Sequence, residues 1–565
     1  MNFMERYNFF LNAGLPKEDV SELLSIKDNE EELKSRFASE LQFGTAGMRG
    51  IMGIGSNRLN RYTVRRAAQG MAAWLVGTDL PKRAAIGYDS RHNSQLFAKV
   101  CAVAFAEAGI ETWLFDRLAP TPMLSYAVRQ LKCGCGVVIS ASHNSGEYNG
   151  VKCYGPDGCQ MTDEPAAVVT AKIATIPYFV PEANSFESYV EKGIIRYIDN
   201  ELWQEYYKVV INEAVAPNNI RKANLNVVYT PLCGTGNEPV REVMARLGAN
   251  VTVVSCQEQP DGDFKTCEYP NPETDAALAE SYKVADNAPC DVILGTDPDC
   301  DRVAIAVPAG NGYKKLSGNE LGCLLMDYIL KARTLKNDIP EGAIVVRSIV
   351  SSPLADRIAS KYGVTMKTVL TGFKYIGGEI LALESINQED RYIFGYEESC
   401  GYLKGTYARD KDAVVASMLV CEMAASLKLE GKTILDALNE LYDSYGMYIS
   451  YVQSVELTGS DAMEKAAKVM SDLRACIPET IGGASVTLVN DYKTGYTTNI
   501  RTGEQTVINL PKSNVLEFVL GDQGSVIIRP SGTEPKIKYY YTAVASTRSA
   551  ADEYLNAMIK DMSAK

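Results

Sequence analysis

Three well-separated stretches repeat one pattern: AAIGYDSR (residues 84–91), NLNVVYTPLCGTG (224–236) and GAIVVRSIVSS (342–352). Each is a short, nearly unbroken apolar run that ends in a polar or glycine-bearing loop. Each is followed by a helical periodicity and then a further apolar run. A strand that is apolar along its whole length is buried on both faces. Strands alternating with helices of this length give a largely parallel sheet covered on both sides. The recurrence predicts three similar α/β units with mixed, largely parallel sheets, spanning about 450 residues. Within the first unit, Thr63 is expected to cap a helix running through Val76, and Ser94 a second helix ending at Gly109.

Beyond about residue 448 the pattern changes. YISYVQSVEL, ASVTLVND, NVLEFVLG, SVIIRP and KIKYYYTA are strands separated by turns, with helical patterns reduced to two. Short connections between strands predict an antiparallel sheet in a small α+β domain. Residues 1–40 are amphipathic helical segments packed on the first domain, with no chemistry assigned. The expected boundaries are 1–208, 209–322, 323–447 and 448–565, since 565 residues exceed one ordinary core.

Net charge is −13, from 70 acidic and 57 basic residues. That balance sets up no general attraction for nucleic acid or an anionic membrane, so an anionic ligand needs a local positive site. The N-terminus MNFMERYNFFLNAG lacks a basic segment followed by an apolar core, and no run of 18 apolar residues occurs. A cytoplasmic protein is expected. The 14 cysteines are scattered except for Cys133 and Cys135, whose spacing suits neither a redox pair nor zinc, and only His92 and His143 offer imidazoles. Reduced, structural thiols are expected.

Chemistry concentrates in a few loops. VVISASHNSGEYNGVKCY (137–154) is an apolar strand delivering Ser140, Ser142, His143, Ser145 and Lys152 to an exposed turn. A serine hydroxyl exchanges a phosphoryl group only where cations stabilise the developing charge. Read alone, the segment is a polar loop. DVILGTDPDCDR (291–302) places Asp297, Asp299 and Asp301 at alternate positions after another apolar strand. Three carboxylates drawn together need a cation, and hard oxygen ligands suit Mg²⁺. A calcium loop of the EF-hand kind wants Gly sixth and Glu twelfth, whereas Arg302 and Pro308 stand there.

LQFGTAGMRG (41–50) sets Arg49 among glycines. TGFKYIGG (371–378) and FGYEESCGYLKGTYARDKDAV (394–414) carry Glu397, Ser399, Arg409 and Lys411, groups able to grip vicinal hydroxyls and negative charge. RPSGTEPK (529–536) combines Arg529, Ser531 and Thr533 with Gly532, a combination that forms a backbone nest for an anion.

SASHN followed by GEYNGVK resembles the active-serine loop of the alpha-D-phosphohexomutases, the phosphoglucomutase and phosphomannomutase superfamily. FGTAGMRG, DPDCDR, GYEES and RPSGTEP are similar to that family's remaining motifs, in the same order, over all but the first 40 residues. The resemblance implies that Ser142 carries the phosphoryl group and that Arg49, His143, Lys152, Arg302 and Lys411 act around it. It also implies Mg²⁺ on Asp297, Asp299 and Asp301 in contact with phosphorylated Ser142. Thr45, Thr371, Gly372, Lys374, Glu397, Ser399, Arg409, Arg529, Ser531, Gly532 and Thr533 would bind substrate. The four domains would surround a central cleft.

The implied reaction interconverts glucose 1-phosphate and glucose 6-phosphate through glucose 1,6-bisphosphate. Mannose or pentose phosphates are alternatives, because Tyr396 and Cys400 depart from the family's glycines in a way shared with long phosphoglucomutase and phosphopentomutase-like forms. The residues alone also admit a metal-dependent phosphatase or a non-catalytic sugar-phosphate sensor. His143 or Lys411 handles the proton, and the sequence does not choose between them. The expected partner is a small sugar phosphate, with no nucleic acid or membrane, for a monomer or homodimer.

Overall fold

The computed structural model describes residues 1–44, 46–457, 462–530 and 536–563. The chain divides into two compact units. One comprises residues 1–318, 376–395 and 399–431; the other comprises 319–375, 396–398 and 432–565.

In the first unit, two sheets follow the α/β expectation. The first has the order Gly47–Ile51, Tyr148–Tyr154, Cys135–Ile139, Arg83–Tyr88, Glu111–Phe115, Ile195–Ile198. Its last four strands run parallel, and the first two are added antiparallel. Val137, Val138 and Ile139 are fully buried, as an apolar central strand must be. The second sheet has the order Gly312–Lys315, Val303–Ala309, Val292–Thr296, Asn226–Thr230, Asn250–Val253. It is parallel from Val292–Thr296 onward and antiparallel at the other edge.

The helix starts differ from expectation by one local rule. Helix Arg61–Val76 is capped by Asn60, whose side chain accepts from Tyr62 and Thr63 N–H, while the Thr63 hydroxyl completes a capping box by accepting from Asn60 N–H. Helix Ser94–Glu107 begins after Asn93 at φ 63°, and the Ser94 hydroxyl is spent elsewhere, donating to Asp89 Oδ1 at 2.7 Å. Helix Ala413–Leu429, buried along most of its length, starts at Asp412. That carboxylate accepts from Val414 and Val415 N–H at 2.7 and 3.1 Å and from Tyr206 and Tyr407 hydroxyls at 2.9 and 2.6 Å.

Residues 1–40 form helices Phe3–Leu11, Lys17–Ser25 and Glu30–Phe37 around Tyr7, Phe10, Leu23, Leu33 and Phe37. They dock beside the turn after Gly47–Ile51. Arg36 pairs with Glu22, and Glu22 Oε1 accepts Ile54 N–H at 2.9 Å.

The second unit contains the parallel pair Ile344–Ser348 and Thr365–Val369. Its C-terminal part is a seven-stranded sheet, antiparallel throughout, in the order Met447–Glu456, Lys536–Ala545, Gly524–Pro530, Leu516–Val519, Leu488–Asp491, Tyr496–Asn499, Gln505–Val507. Helices Ala462–Ala475 and Arg548–Ser563 cover it around Phe518, Val526, Ile528 and Met558.

Candidate active site

In the first unit, Ser142 follows strand Cys135–Ile139 at φ 53°, a left-handed conformation that is costly for a non-glycine residue and must be held by its surroundings. The Ser140 hydroxyl accepts Ser142 N–H at 2.8 Å. Ser142 Oγ donates to Asp297 Oδ2 at 2.7 Å and lies 3.1 Å from His143 Nδ1. The hydroxyl has one proton and gives it to Asp297. Neutral His143 therefore carries its hydrogen on Nδ1 and donates to Oγ. The neutral ring is favoured, because burial and then the charges of Arg302 and Arg49 push its pKa well down.

The loop after strand Val292–Thr296 delivers the three aspartates, each essentially fully buried, with one oxygen from each within 4.8 Å of the others. Asp297 Oδ1 accepts the N–H groups of Asp301 and Arg302 at 3.1 and 3.0 Å, closing the loop on itself around Cys300 at φ 53°. Lys152 Nζ bridges Asp299 Oδ2 and Asp301 Oδ2, the latter at 3.0 Å. Lys411 Nζ reaches Asp301 Oδ2 at 3.2 Å and Asp410 Oδ1 at 3.1 Å. Burial works against the Lys152 ammonium, but Asp299 and Asp301 outweigh it and raise its pKa.

The same balance separates the aspartates. Burial and Asp301 act to raise Asp299, and burial to raise Asp301, yet Lys152 and, for Asp301, Lys411 hold both below the usual range. Asp297 has no lysine partner, and burial, Asp299 and Asp301 push it well up. At Asp297 the Arg302 charge and the Ser142 hydrogen bond only partly offset burial and the neighbouring carboxylates, and Asp299 Oδ1 and Asp301 Oδ1 are buried without a hydrogen-bond partner. Orphaned hard oxygens beside a partly compensated carboxylate fit a divalent cation.

The remaining predicted groups take distinct positions. Arg49, exposed on its edge strand, donates to Asn144 Oδ1 at 2.8 Å, next to the serine turn. Arg302 pairs with Glu273 at 2.9 Å. Arg409 is buried away from solvent: its guanidinium donates to Glu384 Oε2 at 2.9 Å and to backbone carbonyls of Thr406 and Ala408. Its position braces the Lys411 segment. Ser399 is half-buried in a turn.

In the second unit, Gly372 at φ 121° donates its N–H to Glu397 Oε1 at 2.6 Å, joining the TGFK and GYEES motifs. Lys374 lies over the Tyr375 ring at 5.2 Å, and Thr371 Oγ1 is buried without a hydrogen-bond partner. Burial, then Glu398 and more weakly Glu397, raise the Tyr540 pKa, while Arg529 hydrogen-bonds the phenol and lowers it. Thr45, Ser531, Gly532 and Thr533 lie outside the described residues.

Tyr396 and Cys400, where departures from the resembled motif were expected, are both buried. Tyr396 is fully buried over Gly322, where a Cβ would stand 2.3 Å from its ring, and Cys400 keeps a glycine-like φ of 60°.

Sequence reading missed Thr121 and Arg91. Thr121 starts helix Thr121–Gln130, donating its hydroxyl to Asp299 Oδ2 at 2.8 Å and its N–H to Asp299 O at 2.9 Å. Arg91 donates to several carbonyls of the serine loop. The only available signal was placement, since both follow the ends of predicted strands.

Four family models match the chain. Phosphoglucomutase/phosphomannomutase alpha/beta/alpha domains I, II and III match residues 40–178, 204–310 and 317–445, and the C-terminal domain matches 488–560. A phosphoglucomutase of Staphylococcus epidermidis is 36% identical over 513 residues, covering 90% of this chain and 92% of that protein. One from Staphylococcus aureus is 35% identical over 535 residues, covering 94% of each.

Among solved structures, a phosphoglucomutase/phosphomannomutase family protein of Burkholderia thailandensis superposes with a TM-score of 0.68 at 16% identity, covering 93% of this chain and 98% of that one. The open form of parafusin, a Paramecium phosphoglucomutase, does so with 0.66 at 15%, covering 94% of both. Identity this low speaks for the fold alone. The Staphylococcus matches, whose length leaves no domain out, decide kinship: the chain belongs to the phosphoglucomutase/phosphomannomutase family, within the alpha-D-phosphohexomutase superfamily, and is an enzyme of that class.

Proposed function

We propose that the enzyme is a phosphoglucomutase, interconverting glucose 1-phosphate and glucose 6-phosphate by ping-pong phosphoryl exchange through phosphorylated Ser142 and glucose 1,6-bisphosphate. The observation that carries this is Ser142 Oγ at 2.7 Å from Asp297 Oδ2, the one carboxylate of the cluster without a lysine partner. The phosphoglucomutase names of the Staphylococcus relatives support glucose as the sugar. Mannose and pentose phosphates are the alternatives to compare.

Asp297, Asp299 and Asp301 would hold Mg²⁺ with an oxygen carried on Ser142, and the bound ion supplies neutralisation of phosphoryl charge. The chain's own residues do the rest. A sugar hydroxyl takes the phosphoryl group from Ser142: its bond to phosphorus forms as the phosphorus–Oγ bond breaks, its proton passes to a base, and the released Oγ takes up a proton. In the second half the bond from Ser142 Oγ to the other phosphorus forms as that phosphorus parts from its sugar oxygen; Oγ gives up its proton and the departing sugar oxygen takes one up. His143 is suited to hold the Oγ proton once a cation occupies Asp297 and the hydroxyl no longer points there: the neutral ring with its hydrogen on Nε2 presents the Nδ1 lone pair to Oγ, 3.1 Å away. Lys152 and Lys411 keep the aspartates in register, and Arg49 and Arg302 meet phosphoryl oxygens, since phosphoryl transfer is mostly positioning and charge neutralisation.

Glu397 and Ser399, with Thr371, Gly372 and Lys374, orient sugar hydroxyls. Arg529, Ser531, Gly532 and Thr533 grip the phosphate that is not reacting. By this reading residues 1–208 carry the phosphoserine loop, 209–322 the metal loop, 323–447 the sugar loop and 448–565 the phosphate loop. A reducing cytoplasm suits 14 cysteines that form no disulfide among the described residues. No helix among those residues is long and apolar enough to cross a membrane.

The test is a coupled isomerisation assay with glucose 1-phosphate, mannose 1-phosphate and ribose 1-phosphate, with and without the corresponding bisphosphate and Mg²⁺. Glucose 1-phosphate should turn over fastest, with dependence on both additions, and Ser142→Ala should fall to background. Mutase turnover retained in folded Ser142→Ala rules out the phosphoserine; phosphate release without isomerisation points to a phosphatase.

A further inference from the structure

The serine loop turns several backbone carbonyls toward one point, and a single side chain meets them. Arg91, 3% exposed, donates through Nη2 to Ser142 O at 2.6 Å and to Asn144 O, and through Nη1 to Ser145 O at 2.7 Å and Tyr148 O at 3.0 Å. Asp89 anchors the other side of Arg91. Its Oδ2 is 3.4 Å from Nε, and its Oδ1 accepts Arg91 N–H at 3.0 Å and the Ser94 hydroxyl at 2.7 Å. Asp89 N–H in turn donates to Ile139 O at 3.0 Å, on the strand that delivers the serine.

The outer face of the guanidinium is covered by the Phe264 ring, 4.9 Å from Cζ, reached from the segment that follows strand Asn250–Val253. Phe264 is itself buried and held at φ 49°. The approach is close on both sides. A Cβ on Gly146 would lie 2.7 Å from Gly262 O, and one on Gly262 would lie 2.8 Å from His92 N.

From this geometry we propose that Arg91, fixed by Asp89 and Phe264, is the positioning residue that holds the phosphoryl-carrying serine in its left-handed backbone conformation, aimed at Asp297. Converging carbonyls repel one another and are costly to bury without donors. The planar fork supplies parallel N–H groups at fixed spacing, which the point charge of a lysine does not. Arg91 makes no hydrogen bond or ion pair to Ser142 Oγ or to the carboxylates of Asp297, Asp299 and Asp301, so its contacts reach the chemistry through the loop. The inference rests on Ser142 being the phosphoryl carrier.

Full-length Arg91→Lys, Arg91→Met, Phe264→Leu and Ser142→Ala are compared with wild type by thermal melting, steady-state kinetics with glucose 1-phosphate, and intact-mass measurement of Ser142 phosphorylation by glucose 1,6-bisphosphate. A misplaced nucleophile costs turnover and leaves ground-state binding nearly alone. We expect kcat to fall about tenfold in Arg91→Lys and about a hundredfold in Arg91→Met, with KM within about twofold and slower phosphorylation of Ser142. Phe264→Leu should lower kcat without moving KM.

Wild-type kcat in folded Arg91→Met, or a loss confined to KM, overturns the proposal. If Arg91→Met does not fold, unchanged kcat in both Arg91→Lys and Phe264→Leu overturns it instead. Activity retained in Ser142→Ala removes the phosphoserine reading beneath it; an inactive Ser142→Ala beside unimpaired Arg91 variants removes the positioning role alone.

Discussion

Tyr396 shows how one substitution in a motif is absorbed elsewhere. A tyrosine buried in this motif requires space, and Gly322 provides it, since any Cβ there would meet the ring at 2.3 Å. Gly322→Ala should therefore destabilise the second unit by about 1–3 kcal/mol through overpacking, seen as a lower denaturant midpoint. A midpoint equal to wild type would show that the ring moves aside freely. Ser142 and the three aspartates were legible because each motif is contiguous. The compensation between Gly322 and Tyr396, distant in sequence, was not, because no local pattern records that two side chains share one space. The helix caps were half legible for a similar reason: Thr63 belongs to the capping box, but Asn60 occupies the cap itself.

Helix Phe373–Glu384 and the Arg409 segment are joined by a charge cluster that serves the site indirectly. Glu384 accepts from Arg129 Nη2 at 2.7 Å and from Arg409 Nη2 at 2.9 Å. Hydrogen bonding from Arg129, opposed by burial and aided by the charges of Arg129 and Arg409, lowers the Glu384 pKa to about 2. A depressed carboxyl stabilises the fold fully above its unfolded pKa of about 4.3, and that contribution is lost as pH falls through about 2. The stability difference between wild type and Glu384→Gln should accordingly shrink as pH drops from 5 toward 2, measured by denaturant midpoints in that acid range. A constant difference would show that the cluster does not titrate this way. Partial exposure of Glu384 keeps the effect modest.

Across the molecule, a net charge of −13 coexists with a buried acid cluster in which lysines pair with Asp299 and Asp301 but not with Asp297. Removing a divalent cation should leave Asp297 without its counter-charge. Chelation by EDTA should abolish mutase activity, Mg²⁺ should restore it, and added Mg²⁺ should raise Tm because only the folded chain presents the converged aspartates. Activity unaffected by exhaustive chelation would remove the cation from the mechanism, whatever the fold.

Strand periodicity, loop composition and the order of five short motifs were enough to assign the α/β and antiparallel segments and to name the serine and the aspartates, because burial on both strand faces and turn chemistry are written locally. Contacts between distant segments depended on folding. Lys152 and Lys411 meeting one aspartate, Thr121 serving Asp299, and Arg91 gathering the carbonyls of the serine loop all join parts of the chain far apart in sequence. Such pairings follow from packing and charge balance in a closed interior, where each buried group takes whichever partner the fold brings within reach.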